Sequence, residues 1–129
     1  MFWKLFFFLA LVLLLLTVSC GSGGSSSGGG ASPKANFVIT AIEKTMTSYN
    51  RPSLIITVKN TGTATGYNVG CQSHARNVAN TIIDTASTFF AGLGNIPVNN
   101  SALDEGVFFN LHSHNDYTTL THDCSWLSR

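Results

Sequence analysis

Three of the four histidines lie near the C-terminal end of the 129-residue chain. His112 and His114 are two positions apart, so on an extended strand their imidazoles would project to the same side. Asp116 or His122 would supply a third ligand, as a zinc or copper site requires. His112, His114 and His122 therefore define a candidate metal site, and the alternative is a polar loop with solvated histidines. His74 is separate, and no role is predicted for it.

A hydrolase is another chemical alternative. Residues 24–28 read Gly-Ser-Ser-Ser-Gly, which matches the G-x-S-x-G turn that exposes a nucleophilic serine between a strand and a helix. The flanking residues, rich in Gly and Ser, predict neither element. Asp104 and Glu105 are adjacent, so on a strand they would point to opposite faces and form a poor acid–base pair. The sequence therefore predicts a protein that is not an enzyme and carries no cofactor.

Residues 1–19 have the features of a secretory signal. Lys4 is an early positive charge, and the twelve residues from Leu5 to Leu16 include no polar side chain. A membrane-spanning helix needs about 20 apolar residues, so this short run with small residues after it is typical of a cleaved signal. The alternative is an N-terminal membrane helix extended through Val18.

The end of this signal, Thr17-Val18-Ser19-Cys20, resembles the lipobox of bacterial lipoproteins. In that family the signal is cut before the cysteine, whose sulfur receives a diacylglyceryl group, so the resemblance implies a lipidated Cys20. Thr17 departs from the Leu that is usual there. By resemblance to enterobacterial lipoproteins, Gly21 after the cysteine implies the outer membrane of a host that has one, facing the periplasm or the cell surface. Several acyl chains would anchor the protein stably, since each buried CH₂ contributes ~0.8 kcal/mol. The alternative is an ordinary secreted protein.

Cys71 and Cys124 remain once Cys20 is assigned to a lipid anchor. Export favours a disulfide between them, and their wide separation excludes a CxxC redox or zinc motif. By the chain-entropy treatment, a bridge that closes so long a loop stabilises the fold by about 4 kcal/mol. The bridge would join either neighbouring strands or two sheets, and the alternative is a pair of buried free thiols.

Residues 20–36 are predicted to be the lipidated cysteine and a Gly- and Ser-rich linker. This stretch has no large apolar side chain before Phe37, so burial cannot offset the entropy of ordering it. A flexible chain of this length spans about 20–24 Å. Without Lys4, six Lys and Arg residues balance six Asp and Glu residues. Nucleic acid is not an expected partner, because the sequence has no basic patch.

The rest of the chain, residues 37–129, is predicted to be all-β. Leu54, Ile56 and Val58 alternate with more polar positions, as on a half-buried strand. Turn-forming residues separate several such segments, and six or seven short strands favour a β-sandwich. The predicted strands cover 37–42, 54–59, 67–71, 80–85 with a continuation through 87–90, 105–111 and 119–127.

Two pairs of adjacent phenylalanines give a candidate partner surface. Phe89 and Phe90, like Phe108 and Phe109, cannot both point inward on a regular strand. One member of each pair is predicted to be exposed or covered by a partner, because a cluster of exposed aromatic residues marks an interface. The alternative is that loops cover both faces.

The run Leu54-Ile55-Ile56-Thr57-Val58-Lys59-Asn60-Thr61-Gly62, then Ala64 and Tyr67-Asn68-Val69, looks like bacterial immunoglobulin-like domains of the CARDB and FxLYD type. The later 83–85 and 106–109 segments follow the family's order. The Phe-x-Leu-Tyr-Asp signature is missing, and Asn99-Asn100-Ser101 replaces the usual Pro-Gly. The resemblance implies an immunoglobulin-like β-sandwich that serves adhesion, interaction or spacing without catalytic residues. We therefore expect a lipid-anchored envelope module that binds another envelope protein, with a periplasmic metal-binding lipoprotein as the alternative.

Overall fold

The structure, a computed structural model, describes residues 31–129, which form a β-sandwich of two antiparallel sheets. Sheet A has the order β1-β2-β6. In sheet B, β3 is central, with β4 and the short β5 along one edge and β7 along the other. The predicted all-β sandwich is confirmed. The strands are β1 (Phe37–Met46), β2 (Pro52–Asn60), β3 (Gly66–Arg76), β4 (Ile82–Phe89), β5 (Asn95–Ile96), β6 (Ser101–Val107) and β7 (Thr119–Ser128).

The central strands of both sheets fill the core with alternate side chains. Leu54, Ile56 and Val58 of β2 are fully buried, as their alternation predicts. On β3 the buried series is Val69, Cys71, Ser73 and Ala75. The inner faces of these two central strands meet across the sandwich. Burial of their apolar side chains stabilises the packing of the two sheets.

The predicted bounds of one strand, 105–111, are wrong, since β6 covers Ser101–Val107. Phe108 and Leu111 are buried, but they belong to the connection that crosses from sheet A to sheet B. The Phe108 N–H donates to the Pro52 carbonyl at 2.9 Å, and the Asn110 N–H donates to the Asp84 carboxylate at 2.7 Å. These contacts bury apolar residues outside a strand, and alternation alone does not reveal that arrangement.

The cysteine bridge joins neighbouring strands of one sheet. Cys71 of β3 and Cys124 of β7 are direct cross-strand partners and form a disulfide. The predicted disulfide is therefore confirmed, and of the two arrangements left open, the one within a sheet is found. Trp126, two positions beyond Cys124, packs its ring 5.3 Å from that of Phe37.

The connections lie at two ends of the sandwich because neighbouring strands are antiparallel. Residues 61–65, residues 97–100 and the C-terminus lie at the end where the chain enters, which we call the entry end. The connections 47–51, 77–81 and 108–118 lie at the opposite, distal end. Asparagines suit these turns, since they tolerate the left-handed backbone better than most residues. Asn50 and Asn80 adopt it, with φ of 56° and 61°.

The compact unit begins at Pro33, four residues before the predicted start of the domain. Ala35 is buried, its N–H donates to Ser128 Oγ at 2.9 Å, and its carbonyl accepts from Trp126 Nε1 at 3.1 Å. The last residues of the predicted linker are therefore part of the folded domain. They fix the point at which the chain enters the sandwich.

Candidate functional site

His114 holds the 108–118 connection against sheet A. Its Nδ1 is 2.8 Å from the Tyr117 hydroxyl and its Nε2 is 2.8 Å from the Thr45 carbonyl oxygen. Because a carbonyl only accepts, Nε2 carries the proton and donates, and Nδ1 accepts from the Tyr117 hydroxyl. The Nε2 hydrogen bond to Thr45 fastens the connection to β1, and the Nδ1 hydrogen bond to Tyr117 lies within the connection.

The other residues of the predicted metal site point elsewhere. His122 is half-buried on the inner face of β7, where its Nδ1 is 2.8 Å from Ser73 Oγ. His112 is exposed, and the Asp116 carboxylate accepts from the backbone N–H groups of His112 and Ser113, both at 2.8 Å. Within the described part of the chain, no three His, Cys, Asp or Glu side chains converge as metal ligands would. The structure does not bring the three histidines together, so their geometry does not support the metal-binding alternative.

The environment of His122 predicts a pH-dependent stability. Burial lowers the pKa of His122 below its usual value, and nearby His74 adds to the lowering. As the pH falls through about 6.5, the unfolded chain takes up a proton that the folded protein resists. The free energy of unfolding should therefore fall with the pH and level off below the folded pKa.

We expect the free energy of unfolding of His122→Gln to depend less on pH in this range. Denaturant unfolding at a series of values between about pH 5 and pH 8, which bracket the titration of histidine, measures it. His112→Gln is the matched control, because His112 is exposed at the distal end. Equal slopes in the two variants would contradict the prediction.

Three polar side chains on the outer face of sheet B form a hydrogen-bonded chain that the sequence did not predict. His74 Nε2 is 3.2 Å from Asp123 Oδ2, and Nδ1 is 2.8 Å from Thr85 Oγ1. The order of groups is that of a hydrolase triad, but a triad carboxylate is buried, whereas the Asp123 side chain is 80% exposed. Because Ser73 and Ala75 are buried, alternation along the strand places His74 on the outer face. Its contact with Asp123 depends on the register between β3 and β7, which the sequence does not give.

The two phenylalanine pairs each divide between core and surface. Phe90 and Phe108 are 0% exposed, whereas Phe89 is 54% and Phe109 is 70% exposed. The prediction of one exposed member in each pair is confirmed, and the predicted partner surface is wrong for Phe90 and Phe108. Phe89 and Phe109 line separate depressions, so they do not form one patch.

Phe109 belongs to a depression of about 590 Å³ on the distal side of sheet A, which we call the distal depression. Tyr49, at the tip of the 47–51 turn, is 87% exposed beside it. Arg51 Nη1 donates to the Phe109 carbonyl at 2.6 Å and so ties this turn to the 108–118 connection. The residues lining the depression are Met46, Thr47, Ser48, Tyr49, Arg51, Glu105, Val107 and Phe109.

Comparisons with models of protein families, with curated proteins and with solved structures found no match in any of the three. In residues 31–129, no helix is long and apolar enough to cross a membrane. Cys20 and the 24–28 motif lie outside the described residues. What the described residues define is an antiparallel β-sandwich with a disulfide between neighbouring strands.

Proposed function

We propose that this protein is a lipid-anchored, non-catalytic binding or structural module of the bacterial cell envelope, and that its partner is another envelope protein. The lipobox at Cys20 and the Gly- and Ser-rich residues after it support the anchor and the tether. The observation that carries the binding role is the distal depression. It exposes aromatic side chains at the end of the domain opposite the point where the chain enters.

The residue types in the distal depression favour a protein as the partner. Tyr, Phe, Met and Arg are enriched in the centres of protein–protein interfaces, and Tyr49, Phe109, Met46 and Arg51 all line this depression. Tyr49 and Phe109 are mostly exposed in the free domain, so a partner would remove a large apolar area from water. The contact between Arg51 and the Phe109 carbonyl orders the surface in advance, which reduces the entropy cost of binding.

Site-specific photocrosslinking in intact cells tests this proposal. We expect a benzophenone amino acid at Tyr49 to give one dominant crosslinked species, because this side chain is 87% exposed and lines the distal depression. The same amino acid at Leu127 is the matched control, since Leu127 is an exposed apolar residue near the entry end. The double variant Tyr49→Ser/Phe109→Ser should lose co-purification of the partner and keep the fold.

Two outcomes would contradict the proposed binding role: no crosslink from Tyr49, or equal crosslinking from Tyr49 and Leu127. The anchor is tested in the same cells with Cys20→Ala. This variant should leave the membrane fraction or keep its signal uncut, and it should lack the mass of the acyl groups. Acylated protein from Cys20→Ala cells would contradict the assignment of the anchor.

A further inference from the structure

The outer face of sheet B has a second depression, and a glycine of its middle strand is among the lining residues. Gly70 of β3 lies directly between Phe89 of β4 and Ser125 of β7 in the strand register. In the next row toward the distal end, Gln72 lies between Ser87 and Asp123. Since Gly70 has no side chain, the sheet is open here, and the depression has a volume of about 360 Å³.

Phe89 forms an apolar wall of this depression. A Cβ placed on Gly70 would lie 3.5 Å from Phe89 Cδ1, so the ring borders the space that the glycine leaves. Phe89 is 54% exposed, and its backbone N–H donates to Asp104 Oδ2 at 2.7 Å, which ties it to the edge of sheet A. The depression therefore has an accessible aromatic ring on an anchored backbone.

The two disulfide cysteines also line the depression, and polar side chains beside them supply both donors and acceptors. Gln72 offers an amide, Ser87 and Ser125 offer hydroxyls, and Asp123 offers a carboxylate. One oxygen of Asp123 lies 3.2 Å from His74 Nε2, so the histidine orients the carboxylate while its other oxygen stays available. No Lys or Arg lies among the described residues that line the depression.

We propose that this depression binds one unit of a neutral glycan. A pyranose ring has an apolar face of C–H groups, which packs on an aromatic ring, and a rim of hydroxyls, which hydrogen bonds to amides and carboxylates. A volume of about 360 Å³ is in the range of small-molecule sites, about 300–1,000 Å³. The carboxylate, without a facing Lys or Arg, disfavours anionic sugars because a like charge next to it is unfavourable.

The glycan site does not rest on the proposed protein partner, because it lies on the other sheet and shares no lining residue with the distal depression. Loss of one binding function would therefore leave the other measurable. A variant that fails to bind glycan but still crosslinks from Tyr49 separates the two proposals.

The test uses the full-length protein in a detergent without a sugar headgroup, titrated by calorimetry with cellotetraose, maltotetraose and tetra-N-acetylchitotetraose as neutral probes. Tetragalacturonate is the anionic probe. We expect at least one neutral probe to bind with a dissociation constant of about 10 µM to 5 mM, as an open site for one sugar unit allows. Phe89→Ala should weaken that binding at least tenfold, and Phe89→Trp should keep it, since the indole retains an aromatic face.

Phe109→Ala is the matched control, because it removes the other exposed phenylalanine, which lines the distal depression. Its binding should stay within about twofold of the wild type, as expected for a distant site. The proposal is overturned if none of the neutral probes gives saturable heat at about 10 mM, which is about twice the weakest expected dissociation constant. It is also overturned if Phe89→Ala binds as well as Phe109→Ala, or if tetragalacturonate binds more tightly than every neutral probe.

Discussion

Replacing both Cys71 and Cys124 by alanine is expected to lower the free energy of unfolding by about 2–5 kcal/mol. The bridge links residues 53 positions apart, so its loss frees a long loop in the unfolded chain. On the chain-entropy treatment alone this is about 4 kcal/mol, a large part of the stability of a small domain. Both cysteines are replaced together so that no free thiol is left to react.

The bridge is expected to matter locally for β7, an edge strand of sheet B. Among the described strands β7 pairs with β3 alone, and none of its ten residues is fully buried. Without the disulfide, backbone hydrogen bonds and a half-buried face hold this edge strand. We therefore expect amide exchange in β7 to accelerate more than in β2, whose alternate side chains are completely buried.

Denaturant unfolding with and without a reductant, beside the double variant, measures this effect. Cys20→Ala is the matched control, since it removes the third cysteine without touching the bridge. A change of less than about 1 kcal/mol in the double variant, within the usual scatter of point substitutions, would contradict the expected role of the bridge. So would equal protection of β7 amides in both proteins.

Asn60→Ala is expected to destabilise the domain by about 3 kcal/mol, because a buried amide at full hydrogen-bonding capacity is lost. Asn60 is 0% exposed. Its Nδ2 donates to the Ala64 carbonyl at 2.8 Å and to the Ile96 carbonyl at 3.0 Å. Its Oδ1 accepts from the N–H groups of Gly62 at 3.0 Å and Asn36 at 3.3 Å.

The position of Asn60 explains why its loss should be costly. One side chain joins the chain entry at Asn36, the turn after β2 and the short strand β5 at Ile96. Alanine would remove the hydrogen-bond partner of two backbone N–H groups and two backbone carbonyls, which are buried or partly buried. Each buried group left unpaired costs about 1–3 kcal/mol, and the groups that water can reach cost less.

Chemical denaturation of two further variants tests this account. Asn36→Ala loses one exposed hydrogen bond, from Asn36 Nδ2 to Thr61 Oγ1, and should cost less than about 1 kcal/mol. Asn60→Asp keeps the acceptor but loses both donors and buries a carboxylate, so it should be at least as destabilising as Asn60→Ala at neutral pH. If Asn36→Ala and Asn60→Ala were equally stable, the buried amide would not have the role assigned to it.

The sequence by itself determined the features that depend on local alternation. The period of two at Leu54, Ile56 and Val58 identified the buried face of β2, because neighbouring side chains of a strand point to opposite sides. The same rule predicted one exposed member in each phenylalanine pair, and the structure has one, although Phe90, Phe108 and Phe109 lie outside the strands. The cysteine count and the predicted export signal favoured a disulfide, and the structure has it. The number of strands and their short length were enough to predict a sandwich.

The tertiary structure alone decided which distant residues meet. Strand order and register bring Asp123 beside His74, and they place Gly70 between Phe89 and Ser125. Spacing in sequence suggested a histidine cluster, yet His114 faces β1 and His122 faces the core, because a connection and a strand orient them differently. Non-local pairing sets these contacts, since a change of one residue in register would turn every side chain of a strand to the other face.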